Sequence, residues 1–348
     1  MDITGTNGND SLTGTNANDR IFGLGGDDFI AGRDGNDQLY GGDGNDDLNG
    51  EEGNDQIYGG NGDDFIITLT GNDIVYGGDG NDTIVDNAGG FPNNNNVFYG
   101  EKGNDFLDGS DGDDRLYGGE DNDTLSGKEG DDLLNGGRGN DLADYSNFLT
   151  SNPVGLTVDL TRGTARGFAG NDTLISIENI RGTTSNDTLI GNARNNVLYG
   201  DPEPFIEDFP PPGGNDNLNG RDGNDTLIGG FGRDTLTGGK GSDTFVFNYP
   251  EEGIDRITDF SSSADTIQVV RSEDPFDRYF GGGLQLGAIT ADQFSLGTAA
   301  RDSSDRFIYN RSSGALYFDP DGTGSSAQIQ FATLSNNALL SANDIVVI

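Results

Sequence analysis

The sequence contains no cysteine and no histidine. Disulfides, thiolate nucleophiles, zinc sites with nitrogen or sulfur ligands and Ser-His-Asp triads are excluded on that ground. Basic residues are scarce: 19 Lys and Arg stand against 60 Asp and Glu, a formal net charge of −41. Such a chain repels phosphate backbones and anionic lipid, so neither nucleic acid nor an acidic membrane surface is an expected partner. No window of about 20 apolar residues exists, so no membrane span is expected. Met1-Asp2-Ile3-Thr4 carries neither the basic region nor the apolar run of a secretory signal peptide. On its own that absence points to the cytoplasm. There are only 10 prolines against 59 glycines. An acidic chain poor in apolar residues also suits disorder. Here disorder is not expected, because the acids keep phase with a hydrophobic repeat.

The repeat is nine residues long and is seen best in Gly41-Gly42-Asp43-Gly44-Asn45-Asp46-Asp47-Leu48-Asn49. Counted from Gly5, the sixth place of successive blocks is Asp10, Asp19, Asp28, Asp37, Asp46, Asp55, Asp64, Asp73 and Asp82. The eighth place is always aliphatic, from Leu12 and Ile21 through Leu48 to Val75 and Ile84. A period this short implies a solenoid. The aliphatic residue and its two neighbours suit a short strand, with the aliphatic side chain inward and its neighbours outward. The Gly, Asn and Asp before it suit tight turns at positive φ. A strand of this length must stack on the next coil to be stable.

Stacking brings the carboxylates of neighbouring coils together. Like charges repel by about 1 kcal/mol at roughly 4 Å in water, and by more in a lower dielectric. A column of them calls for a divalent cation. Ca²⁺ accepts six to eight oxygens, from carboxylates and turn carbonyls, in tolerant geometry.

The pattern resembles the RTX, or haemolysin-type, calcium-binding nonapeptide repeat G-G-x-G-x-D-x-U-x. Gly41–Asn49 and Gly77–Val85 fit it at every place. The resemblance implies an all-β fold, a right-handed parallel β-roll (β-solenoid) with two nonapeptides per coil, here closed by a small C-terminal β-rich cap. It implies Ca²⁺ held between the sixth-place residues of a repeat and the next but one, pairing Asp28 with Asp46, Asp37 with Asp55 and Asp46 with Asp64. Thr6, Thr15 and Ala17 depart from the pattern at the start, and Thr68 and Leu69 do so in a middle block. The resemblance also implies type I secretion, which reads the C-terminus, making the type I transporter a partner and the extracellular medium the destination.

Along the chain, residues 1–144 read as the first array. A five-residue loop insertion at Phe91–Asn96 interrupts it within 86–99, and Asn96 stands where Asp is expected. The array resumes with Asp105, Asp114, Asp123, Asp132 and Asp141, and inward residues Leu107, Leu116, Leu125, Leu134 and Ala143. Phe22, Tyr40, Tyr58, Tyr76, Tyr99 and Tyr117 recur once per coil and are expected to stack in an outward ladder. Residues 145–181 lose the repeat and read as a spacer of wider coils, with strands in Leu156–Leu160 and Leu174–Ile177 and a half repeat at Asp172. A second array spans 182–247, with Asp187, Asp216, Asp225, Asp234 and Asp243, and a proline-rich loop at 201–213. From 248 glycine thins and apolar runs lengthen, as expected of a cap that covers the last coil, with a short helical piece at Thr290–Phe294. Asp319-Pro320-Asp321-Gly322 opens no EF-hand, because the twelfth place is Gln330 rather than Glu.

Function follows from these readings. The leading expectation is a secreted, non-catalytic calcium-binding β-roll whose nineteen array Asp residues are the metal ligands. The alternative is an extracellular polysaccharide-binding or surface-layer module using the aromatic ladder or the cap. A polysaccharide-modifying enzyme is less favoured. Repeats begin at Gly5, neither H-E-x-x-H nor G-x-S-x-G occurs, and carboxylates committed to a cation are poor acid–base groups.

Overall fold

The computed structural model describes residues 1–87, 94–146, 155–167, 170–202, 213–271, 279–281 and 283–348. The chain forms two compact units, one of 1–148 with 162–179, the other of 149–161 with 180–348. Among the described residues there is no α-helix, and two 3₁₀ turns, Ala291–Gln293 and Ala342–Asp344, are the helical pieces. The first of these has Thr290 at its N-cap, where Gln293 Oε1 accepts the Thr290 N–H at 3.0 Å.

In the first unit alternate repeats build two parallel sheets. One holds six-residue strands such as Gln38–Asp43, Gln56–Asn61 and Ile74–Asp79. The other holds shorter ones, such as Phe29–Ala31, Asp47–Asn49 and Phe65–Thr68. The longer strands run on through the Gly-Gly pair, so that Gly42 pairs with Gly60 as well as Tyr40 with Tyr58. Each step between neighbouring strands is 18 residues, Leu39 to Ile57 and Leu48 to Ile66. That makes a coil of two nonapeptides. Across the interruption the step is 23, Val75 opposite Phe98 and Ile84 opposite Leu107. The five additional residues belong to one coil, and residues 88–93 of the loop itself lie outside the described residues.

Side-chain alternation puts the eighth-place residues in the core. Leu39, Leu48, Ile57, Ile66, Val75 and Ile84 are fully buried, as are Leu107, Leu116, Leu125, Leu134 and Ala143. Leu12, in the first coil, is only half-buried. Outside, the aromatic rings stack with centroids 4.8–5.0 Å apart and planes within 10° of parallel. Ring faces cover ring faces, so solvent meets edges.

In the spacer the coil widens, from Leu134 to Leu174 opposite it, and a hairpin is added to it. Thr164–Gly167 and Gly170–Ile175 form an antiparallel pair, and the second of them continues the first unit's long-strand sheet beside Leu133–Arg138. Period-two alternation fits a hairpin as well as a coil, so the pattern does not reveal the hairpin. Thr157–Asp159 belongs to the second unit and pairs with Thr188–Ile190.

In the second unit one parallel sheet runs through Thr188–Ile190, Asn217–Asp222, Thr235–Lys240 and Asp255–Ile257. The other runs through Val197–Tyr199, Thr226–Ile228, Thr244–Phe247 and Thr266–Val269. The proline-rich loop falls largely within 203–212, outside the described residues. The end of the roll is covered by strands from the C-terminal region. Ile329–Leu334 pairs with Asp255–Ile257, and Ile345–Val347 with Thr266–Val269. Phe247, Phe280, Phe307, Phe318 and Phe331 pack beneath them at centroid distances of 5.0–6.4 Å. A solenoid end left bare would expose this apolar surface and an unpaired sheet edge.

Candidate metal centre

Two ladders of side chains run along the turns, in opposite senses. Each fifth-place Asn or Asp accepts from the backbone N–H one coil later: Asp27 N–H to Asn9 Oδ1, Asn45 to Asp27 and Asp63 to Asn45, all at 3.0 Å. Each sixth-place Asp accepts from the N–H one coil earlier: Asp28 N–H to Asp46 Oδ1, Asp37 to Asp55 and Asp46 to Asp64, all at 2.8 Å. The Asn-Asp pair of the repeat is thus one residue facing each way. The fifth-place role was missed from sequence, although Asn and Asp at that place were its signal.

The sixth-place residues form rows spaced one coil apart. In the first unit one row runs from Asp10 through Asp28, Asp46, Asp64, Asp82, Asp105, Asp123 and Asp141 to Glu178. The other runs from Asp19 through Asp37, Asp55, Asp73, Asn96, Asp114 and Asp132 to Asp172. In the second unit the rows are Asp187–Asp216–Asp234–Asp255 and Asn196–Asp225–Asp243–Asp265. Glu178, Asp255 and Asp265 were not foreseen. They sit outside intact nonapeptides, and the surviving signal is an acid two residues before a buried aliphatic, as in Asp255-Arg256-Ile257 and Asp265-Thr266-Ile267.

With Oδ1 engaged, the second oxygen is left over. Oδ2 of sixteen of the nineteen array Asp residues is buried and accepts no hydrogen bond, as is Oδ2 of Asp255 and of Asp201. Burial drives several of the carboxyls, Asp55, Asp73 and Asp216 among them, up from 3.8. It takes Asp55 to about 7 against the opposing N–H of Asp37, and Asp73 to about 8. Asp216 reaches about 10, through burial and then the charge of Asp201. Buried oxygens of this kind are costly unless a partner is supplied.

The turn is shaped around them. A Cβ on Gly23 would lie 2.6 Å from the Gly41 carbonyl oxygen and would collide with Asp28 Oδ2. A carboxylate oxygen and a carbonyl oxygen therefore crowd the floor of the same turn. Among the described residues no three carboxylates converge into a metal-holding group. The available donors in each turn are instead single carboxylates with backbone carbonyls. An all-oxygen, anionic, buried donor set fits a hard cation such as Ca²⁺.

Irregular positions differ. Asn96 gives its amide to Asp86 Oδ2 at 2.9 Å, so its side chain is committed elsewhere. The Tyr145 hydroxyl donates to Asp172 Oδ2 at 2.9 Å. Asp319 Oδ1 accepts the Gly322 N–H at 2.8 Å, a local turn. Asp10, Asp19 and Asp187 are also satisfied locally.

Stacked two-repeat coils with a buried, unpaired carboxylate oxygen in each turn define a β-roll of the metal-binding kind. The profile of the RTX calcium-binding nonapeptide repeat matches residues 4–39, 22–57, 40–75, 58–89, 93–125, 117–144, 178–202 and 213–245, together more than half of the chain. The chain belongs to that family and is a calcium-binding repeat protein. No match was found among curated proteins. Among solved structures, the AlgE6R3 subunit of the mannuronan C5-epimerase of Azotobacter vinelandii is 31% identical, covering 46% of this chain and 77% of that one, with a TM-score of 0.29. The extracellular lipase LipA of Serratia marcescens is 18% identical, covering 73% of this chain and 45% of the lipase, with a TM-score of 0.24.

Proposed function

We propose that the protein is a secreted calcium-binding β-roll in which calcium is structural, induces folding, and serves no catalysis. The observation that carries this reading is the set of buried Oδ2 atoms without partners. Bound Ca²⁺ would supply the positive charge and the oxygen coordination that these atoms lack. The ligands would be Asp28, Asp37, Asp46, Asp55, Asp64, Asp73, Asp82, Asp105, Asp114, Asp123, Asp132, Asp141, Asp216, Asp225, Asp234 and Asp243. A cation that binds only the folded chain stabilises it by mass action. Extracellular calcium modules have dissociation constants of about 10⁻⁴–10⁻³ M. At lower free calcium the chain stays open, the state that type I export requires, and it folds outside.

The C-terminal region fits this order of events. Ile345 and Val347 are buried in a sheet beside Thr266–Val269, so these two side chains are accessible only before the roll forms. Residues 249–348 fused to an unfolded passenger are expected to carry it into the medium when a type I transporter is present. A passenger that stays inside cells sinks the export claim. Calcium binding itself is measured separately, by equilibrium dialysis on the purified chain.

A further inference from the structure

The exceptions among the sixth-place residues follow a rule. At Asp10, Asp19 and Asp187 the second place of the repeat is threonine: Thr6, Thr15 and Thr183. Thr15 gives its N–H to Asp19 Oδ2 at 2.6 Å and its hydroxyl to the same oxygen at 2.8 Å. Thr183 does so to Asp187 at 2.6 and 3.0 Å, and Thr6 to Asp10 at 2.5 and 2.9 Å. The oxygen that is bare elsewhere here holds two hydrogen bonds from its own turn. Asn196, which opens the fourth row, is closed in a similar way by the Asn192 N–H at 2.8 Å.

Backbone conformation sets the threonine turns apart from most of the bare ones; the exceptions in the arrays are Asp73 and Asp216, whose second-place Leu69 and Asp201 are not at positive φ although Oδ2 is bare. Second-place residues such as Leu24, Arg33, Glu51 and Lys128 have φ of 65–85°, and Gly42 has 123°. In each of those turns the sixth-place Oδ2 has no partner: Asp28, Asp37, Asp55, Asp132 and Asp46. The three threonines are not at positive φ. A β-branched side chain resists that region. In the threonine turns the backbone N–H and the hydroxyl both reach the carboxylate.

We infer that a threonine at the second place closes a turn to a cation, so that Thr6, Thr15 and Thr183 make metal-free turns in which the threonine stands in for calcium. These turns sit at the opening of three of the four rows, so both arrays start from coils closed without metal. Such coils give the calcium-dependent ones a preformed edge on which to stack. The inference rests on the proposed calcium role of the bare Oδ2 atoms.

Three full-length variants test it, with bound calcium per chain read by equilibrium dialysis and elemental analysis. Thr15→Gly and Thr183→Gly restore a residue that accepts positive φ, and each is expected to gain about one calcium. Arg33→Thr, at an exposed position that already carries a Cβ, is expected to lose one at Asp37. Hydrogen exchange in excess chelator adds a second readout: residues 11–22 are expected to be more protected in the wild type than in Thr15→Gly. Unchanged calcium counts in all three folded variants overturn the inference. If the glycine variants fail to fold, Arg33→Thr decides alone. A wild type that binds no calcium at all instead overturns the underlying proposal, so the two failures are distinguishable.

Discussion

At the scale of single residues, each sixth-place Asp serves two coils. Asp46 accepts from Asp28 and donates its own N–H to Asp64. Replacing it with Ala leaves the buried Asp28 N–H unpaired, at a cost of about 1–3 kcal/mol, and removes one proposed calcium ligand. Asp10 is less buried, and its Oδ2 is already satisfied by Thr6. Asp46→Ala is therefore expected to raise the calcium midpoint of folding clearly more than Asp10→Ala. Equal midpoints contradict the stacking order. The carboxyls also set a pH dependence. Burial raises Asp55 and Asp64 to about 7, and Asp73, Asp123 and Asp132 to about 8, from 3.8. A raised value means that the fold favours the protonated form. That contribution to stability is complete below about pH 4 and is lost as pH rises through 7–8. In excess chelator, acidification from pH 8 to pH 5 is expected to increase β structure by circular dichroism. With calcium present the same acidification is expected to weaken binding, because protons and cation compete for the same oxygens. The sixth-place residues were legible in the sequence because Asp never varies within the regular blocks. The satisfaction of Asp10, Asp19 and Asp187 was not, because it depends on where one hydroxyl and one N–H point.

Among the elements, the stacked strands were the most legible part, since alternation and an 18-residue step fix both inward face and register. The ladder from Phe22 to Tyr117 carried that register across the interruption, where Tyr76 pairs with Tyr99. Tyr58 stacks on Tyr40 at 4.8 Å and on Tyr76 at 5.0 Å. Each such aromatic pair contributes about 0.5–1.5 kcal/mol beyond area burial. Tyr58→Ala is thus expected to destabilise the calcium-loaded roll by about 1–3 kcal/mol in urea unfolding, with the calcium count unchanged. A loss of calcium with it would place the ladder in the metal site. The hairpin of Thr164–Gly167 with Gly170–Ile175 was hidden, because no periodicity marks where a chain turns back on itself. Asp255 and Asp265 were hidden for a related reason: the rows continue after the glycines stop. Register between strands, rather than the nonapeptide, carries them on.

Over the whole molecule, the charge of −41 and the rows of buried acids make the folded chain costly without a counter-ion. The core of each coil is thin, one aliphatic layer from each sheet, and a strand of three residues has no stability alone. Cation and coil stacking are therefore expected to be gained together. Far-ultraviolet circular dichroism of the full chain at pH 8, titrated with calcium from excess chelator, tests this most directly. The expected result is a largely unfolded spectrum in chelator that turns cooperatively to β structure with Ca²⁺ and not with Mg²⁺, which demands a smaller octahedral site and sheds water reluctantly. A spectrum already fully β in excess chelator, unchanged by added calcium, would contradict it.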